Sequence, residues 1–544
     1  MIELHSAPGL GLTAPAALPP IARLGTTLTA FVGRTLKGPV STPTRVRSFF
    51  EFQQLFGGLW QPSMLSYAIE QYFENGGREA IIVRVVNGGQ PPTVTLPAGA
   101  ANLRLRGIAP GTREYLRAAV DYDGIEASST EHFNLVVQRL RAPGTELIES
   151  QEIFSAVSVR AASPRYVADV LARSALVRVA GEVPSIRPQR TTGRQPGSLV
   201  GYADGATDAD DGSELTDYDL IGSASAGTGL FALEQLPQFN LLCIPPLSRE
   251  RDVGLATLLV AARICRARQA LLLMDPPAHW QSTEVALREL RGWPFHSTDA
   301  VMYFPRLLAP DRLRGRTEVF APSGAAAGLL ARSEEAQPLW FATATQEPVL
   351  RPAFRAALEL TPPERLRLIH NGVNALQTVR LPAGQRLSAR TLVAEGSTRL
   401  DAQYLVTRRC ALFVMASVLH GTRWTVLEPP GRSLWKRLSA QVEEFLEALD
   451  AEGAFVGRSS EERYFVICDE RLNGPPGALK SGLRFLFGVA LVNGGDFHAC
   501  LVTHLPGSSH IRPVTVNRLA TSGDRVGEEI EAAIAQARRL ASAD

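Results

Sequence analysis

Short apolar runs alternate with helix-period stretches along most of the chain, and glycine, proline or a capping residue bounds nearly every one. Residues 27–32 read as a short buried strand that stops at Gly33, and Gly38 with Pro39 marks a turn. Residues 48–56 predict a helix closed by Gly57 and Gly58. Ser63 can cap a second helix, whose Leu65, Ala68, Ile69, Tyr72 and Phe73 share one face. Asn75, Gly76 and Gly77 end it, and 80–86 predicts a strand, giving a β-α-α-β order.

Residues 88–200 break this rhythm and read as a β-rich insertion, with short strands such as 133–137 and a basic, polar linker over 187–196. Strand and helix then alternate: strands over 240–244, 270–274 and 300–304, helices over 253–268 and 283–290. Such alternation predicts a mostly parallel sheet covered on both faces. Beyond 371 the pattern changes again. A long helix over 433–449 carries Leu434, Leu438, Val442, Phe445, Leu446 and Leu449 on one stripe. Strands follow over 463–468, 483–492 and 497–505. A closing helix over 524–540 has acidic residues early and Arg538 and Arg539 late, as the helix dipole favours.

The first 25 residues have no periodic apolar face. Pro8, Pro15, Pro19 and Pro20 and a near absence of charge predict an extended arm that pairs with something else.

At 544 residues the chain exceeds what one core organises, so several domains are expected. A formal charge of +2 gives no electrostatic footprint for nucleic acid or an anionic membrane. Lysine occurs only at Lys37, Lys436 and Lys480, so arginine supplies nearly all the positive charge, a composition suited to forked guanidinium–carboxylate contacts between subunits. The opening residues lack the pattern of a signal peptide. The best membrane candidate, 255–274, is broken by Arg263, Arg266 and Arg268. The five scattered cysteines, without C-x-x-C pairing, predict buried thiols in a reducing compartment. A soluble chain made in a cytoplasm is the expectation.

The strings that carry chemistry are missing or imperfect. The stretch from Gly477 to Lys480 and Ser481 lacks the glycine that lets a phosphate loop wrap its ligand. No G-x-S-x-G elbow occurs; Ser323, between Pro322 and Gly324, is the most suggestive serine, with His279 and His296 after strand ends. These three keep an α/β serine hydrolase open as the alternative reading. The acidic run 204–219 clusters carboxylates that hard cations favour but misses the twelve-residue calcium-loop spacing, so a solvated or arginine-facing loop is expected. Neither a cofactor nor a metal is called for, and no catalytic residue is assigned.

An ordered set of motifs resembles one family. Phe31-Val32-Gly33-Arg34-Thr35-Leu36-Lys37-Gly38-Pro39-Val40 is similar to the opening of contractile tail sheath proteins. At family-like spacing follow Phe49 to Phe52, Phe56-Gly57-Gly58, Tyr67, Glu74 to Arg78 and Val83 to Val85. Leu199 to Gly205, Phe231 to Glu234, Asn240 to Pro245, Asp275-Pro276-Pro277 and Pro322-Ser323-Gly324 resemble the family's middle domain. Asn371 to Asn374, Arg390 to Leu392, Arg408-Arg409, Leu434-Trp435 and Cys468-Asp469-Glu470 resemble its C-terminal part. The chain departs from the pattern at Leu387-Ser388-Ala389, at Glu428-Pro429-Pro430-Gly431 and in its closing helix.

The resemblance implies a multidomain α/β (α+β) protein that polymerises around an inner tube and contracts, without enzymatic activity. It implies an N-terminal arm over 1–25 and an inner, polymerising domain split between 26–87 and 370–507. Between them lie an inserted outer β-rich domain over 88–200 and a subtilisin-like, non-catalytic α/β domain over 201–369. A C-terminal arm with the closing helix takes 508–544. The implied partners are other copies of the chain through both arms, the tube protein, and the baseplate and terminator proteins of a phage tail or phage-tail-like particle (a tailocin included). Neither nucleic acid nor membrane insertion is implied.

Overall fold

The five residues of β1 (Thr29–Gly33) are all buried, because the strand runs through the interior of a sheet. The computed structural model describes residues 19–191, 201–336, 338–341, 349–379, 387–393, 403–475, 482–491, 497–516 and 526–541. They divide into two units. The larger holds 26–338 and 342–397; the smaller holds 398–544 with 339–341 and the described part of 1–25.

Along the larger unit, β2 (Thr44–Val46) and β3 (Ala80–Arg84) follow β1, with the helices Phe49–Phe56 and Met64–Glu74 between them. The second helix starts as its sequence predicts, with Ser63 Oγ accepting the Ser66 N–H, and Ser48 Oγ caps the first by accepting the Glu51 N–H, each at 3.1 Å. An inserted region then supplies β4 (Thr93–Ala98), β5 (Ala101–Gly107), β6 (Tyr115–Asp121), β7 (His132–Leu140), β8 (Ile148–Ser158), β9 (Val177–Ala180) and β10 (Ala203–Asp204). It forms two sheets, β4-β5-β9 and β10-β6-β7-β8, around a core that includes Leu96, Leu105, Phe133 and Leu135.

After it come β11 (Leu241–Cys243), β12 (Leu271–Met274), β13 (Ala300–Phe304), β14 (Leu307–Asp311), β15 (Arg316–Phe320), β16 (Arg355–Ala356) and β17 (Val373–Ala375). The central sheet has the order β17-β13-β12-β11-β1-β3-β2, parallel except at the β2–β3 pair. The sheet draws on both stretches assigned to an inner domain, 26–87 through β1, β2 and β3 and 370–507 through β17. β1 lies between β3 and β11, in register Thr29 with Ala80 and with Leu241, so the 26–87 segment supplies the middle of the α/β sheet. The physical reason is in the residues. Thr29–Gly33 and Ala80–Arg84 are buried on both faces, which only the interior of a covered parallel sheet satisfies. Ala30, Val32, Ile81 and Val83 share one core with Leu242, Leu272 and Met302. β17 forms an edge of the same sheet.

The helix Ser323–Ala336 crosses Met64–Glu74 so closely that a Cβ at Gly324 or Gly328 would collide with the carbonyl of Ala68 or Tyr72. Both positions must stay glycine for backbone to meet backbone.

In the smaller unit, β18 (Tyr464–Ile467), β19 (Leu483–Val489), β20 (Phe497–Leu505) and β21 (Ser508–Val516) form an antiparallel sheet in sequence order. Side chains alternate between two cores. Phe485, Phe487, Cys500 and Val502 face the helices Leu405–Gly421 and Arg432–Ala451. Leu486, Ala499, Leu501 and Val514 face the closing helix Val526–Ala541 through its Ala533, Ile534 and Ala537. Residues 508–544 are the expected C-terminal arm with its closing helix, and within this chain their first part is β21. Residues 508–516 pair along their whole length with the chain's own β20, because Val514 and Val516 complete the core under the closing helix.

The stretch Leu405–Leu427, and not 255–274, is long and apolar enough to cross a membrane by length and composition. About 67% of its apolar window is buried within the protein, where it serves as a core helix.

Candidate functional site: buried polar clusters and open sheet edges

Ser323 opens the helix Ser323–Ala336 at the carboxyl end of β12, and it is only 2% exposed. Its N–H donates to Asp275 Oδ1 at 2.7 Å and its hydroxyl to Oδ2 at 2.8 Å. Asp275 thereby holds the helix start, where a carboxylate is favoured. Burial pushes the Asp275 carboxyl up to about 6, opposed by nearby Arg306 and the bonds from Ser323. Acyl transfer of the Ser-His-Asp type, the reading that His279 and His296 kept open, needs the serine hydroxyl bonded to a histidine base. His279 is instead bonded to Glu289 at 2.8 Å on the surface, and His296 is exposed. The three residues that kept the hydrolase reading open are not brought together; Ser323 and Asp275 are a structural clamp.

The acidic run is spent on local bonds. Asp217 Oδ1 accepts the Gly254 N–H at 2.8 Å and the Thr257 hydroxyl at 2.6 Å, and Asp219 forms a capping box with Thr216. Asp211 accepts from Thr112, and Asp210 from the Gly212 N–H. Among the described residues no three His, Cys, Asp or Glu side chains gather as a metal-binding group. The stretch 476–481, with its imperfect phosphate-loop string, lies outside the described residues.

Positive charge is buried where the chain must knit loops together. Arg84, at the end of β3, is 1% exposed and donates to the carbonyls of Gly38 and Pro110, both at 2.7 Å. Burial pulls its guanidinium down to about 10. Lys37 reaches Glu149 of β8 at 2.6 Å, tying the inserted sheets to the turn after β1. Within the chain, arginine is thus used for multiple hydrogen bonds that join loops.

The expected arm divides at residue 18; residues 1–18 lie outside the described residues. Residues 19–25 form no strand and lie against their own unit. Ile21 is 6% exposed among the residues of Leu405–Gly421 and Arg432–Ala451, and Gln441 Nε2 donates to the Pro19 carbonyl at 2.7 Å. Arg23 forks onto Glu452 with bonds of 3.0 and 2.7 Å. Sequence reasoning missed this docking because Ile21 alone carries its apolar signal.

Sheet edges differ in how open they are. β8 is eleven residues long but has two register shifts against β7 and a positive φ at Ala156, irregularities that blunt an edge. β21 runs nine residues against β20 without a shift, and among the described residues no strand pairs with its other side. Pro513 within it has no N–H to offer, as is usual on edge strands. An edge of this length can accept another extended segment by backbone hydrogen bonding.

Neither protein-family models nor curated proteins give a match to the chain. Solved structures do. A tail sheath protein of Listeria innocua superposes with a TM-score of 0.57 at 10% identity, over 90% of this chain and 97% of that one. The sheath complex of an extracellular contractile injection system (PVC), in its contracted state, gives 0.51 at 14% identity over 90% and 95%. The contracted helical sheath of the anti-feeding prophage gives 0.50 at 14% identity over 90% and 96%. The chain has the multidomain α/β fold of these proteins.

Proposed function

We propose that the chain is the repeating subunit of a contractile sheath, polymerising helically around an inner tube and shortening to drive that tube through a target envelope. One observation carries this reading: the likeness to sheath structures spans 90% of the chain and at least 95% of each neighbour, so it covers a whole architecture and not one shared domain. A superfold shared over one domain would carry no such weight.

The physics of the fold agrees with the role. A subunit that contracts needs two packings of rigid bodies and links that survive the change. The two units supply bodies with separate cores, and the β21 edge supplies a place where an extended segment of a neighbouring copy adds as a strand. The segment offered is the N-terminal arm, and a contact of this heterologous kind propagates into an open helix. Tube, baseplate and terminator proteins are the remaining partners, in a particle assembled in the bacterial cytoplasm, and the subunit catalyses no reaction.

Electron microscopy of the purified protein, alone and with its tube partner, tests the proposal. Tubes or stacked rings are expected; material that stays monomeric with the tube present sinks it. Deleting residues 1–20 is expected to leave a folded monomer that no longer polymerises, and normal sheaths from the truncated chain would remove the arm from the account.

A further inference from the structure

A groove of about 490 Å³ in the larger unit lies beside the helix Phe49–Phe56. Half-buried Leu36, Phe49 and Leu59 line it, while Phe50 and Leu313 stand 67% and 50% exposed within it. Most of its charges are already matched. Lys37 binds Glu149, and Arg312 binds Glu70 and Glu74. Two are not. Arg113 and Arg141, both exposed, form no ion pair among the described residues. The groove therefore combines exposed apolar surface with two uncommitted guanidinium groups, and the chemistry that fits it is an acidic surface with small apolar side chains between the acids.

The smaller unit carries such a surface. On the helix Arg432–Ala451, Ala440, Glu443, Glu444, Glu447, Ala448 and Ala451 recur at helical spacing and are exposed. The three carboxylates pair with no cation among the described residues, although elsewhere the chain matches acid to arginine repeatedly. Glu443 is partly desolvated without compensation, so its carboxyl titrates above the ordinary range, and an arriving cation would relieve that cost.

We propose that the groove holding Arg113, Arg141 and Phe50 is the docking site for the acidic face of the helix Arg432–Ala451 of a second copy. The inference rests on the polymer reading and adds to it a contact between folded bodies, separate from any strand exchange. Charge complementarity selects the occupant: with 56 cationic and 54 acidic residues the chain is nearly neutral, yet these two surfaces carry opposite local charge. Because groove and helix are different surfaces, the contact is head-to-tail, and its repetition builds a filament without closing a dimer.

Charge reversal tests it on the full-length protein. One variant carries Arg113→Glu with Arg141→Glu; the other carries Glu443→Lys, Glu444→Lys and Glu447→Lys. Every altered residue is exposed, so each variant is expected to remain a folded monomer by circular dichroism. Arg113→Gln with Glu444→Gln keeps the test open if a reversed chain does not fold; it is expected to slow assembly several-fold.

Followed by light scattering, each reversed variant alone is expected to polymerise at least about tenfold more slowly than the parent. A one-to-one mixture is expected to recover most of the rate, since each variant's groove then meets an oppositely charged helix. Wild-type rates from both variants, or a mixture that stays as slow as its components, would overturn the inference while leaving the sheath reading intact. The same holds if helix reversal spares self-assembly and blocks only loading onto the tube. A parent chain that never polymerises overturns both.

Discussion

The seven-stranded sheet of the larger unit ends on β17 and β2, three residues each, whereas the four-stranded sheet of the smaller unit ends on the nine-residue β21. Edge length sets how much unpaired backbone a sheet offers. The larger unit has almost closed its central sheet: strands buried on both faces, helices packed backbone to backbone at Gly324 and Gly328, and acids turned into helix caps. In the smaller unit both faces are covered by helices while one long edge stays open. On the proposed sheath reading, the contrast would give rigidity to one body and linkage to the other.

Core truncation should separate the two most strongly. Phe485→Ala, in the core of the smaller unit, is expected to cost about 4 kcal/mol there and to leave the larger unit's melting transition in place. Gly324→Val should do the converse, costing about 3 kcal/mol in the larger unit by forcing two helices apart. Calorimetry of each variant checks both; equal loss in both transitions would mean that the units do not unfold separately.

Acid should also move the two units in opposite directions. Asp275 of the larger unit has its folded value raised from 3.8 to about 6, so its folded state binds a proton more readily than its unfolded state. Its favourable contribution is complete below about 4 and is lost as pH rises through about 6, a change of about 3 kcal/mol at most. His504 of the smaller unit is buried between Thr422 and Ser509, both 2.8 Å away, and burial lowers it from 6.5 to about 4. Its contribution is present above 6.5 and is lost as pH falls towards 4, again by about 3 kcal/mol at most. Between pH 7 and 4, Asp275→Asn should flatten the larger unit's profile and His504→Gln the smaller unit's. Denaturant titration at four pH values reads both slopes.

The smallest effect concerns the docked N-terminal segment. The Arg23–Glu452 fork is 43% exposed on each side, so Arg23→Ala should cost less than about 1 kcal/mol. Truncation of Ile21 to alanine should cost more than that, because Ile21 is buried among the helices. The reverse order would assign the segment's docking to charge.

Much of this contrast is legible from residue order. The helix over 283–290 and the strand over 300–304 match Thr283–Leu290 and Ala300–Phe304, and the described residues of the expected closing helix form Val526–Ala541. Periodicity and caps are local signals, and here tertiary packing agrees with them. What strand patterns lack is the identity of the neighbour. β1 and β3 are visible as apolar runs, but nothing in Thr29–Gly33 says that Leu241–Cys243 lies beside it. The same gap hides the pairing of β21 with β20, because an edge strand and an unpaired extended segment read alike. Helix Leu405–Gly421 is apolar nearly all round, with thirteen of its seventeen residues buried, and so shows no periodic stripe in the sequence. Ser323 was singled out for its neighbours in sequence, while its role is set by Asp275, 48 positions away.

The most direct measurement is a cryo-electron microscopy reconstruction of the protein assembled on its tube partner. The account predicts a helical lattice in which β21 gains an additional strand from a neighbouring copy. A lattice that leaves the β21 edge solvent-exposed, or a protein that forms no lattice at all, would contradict it.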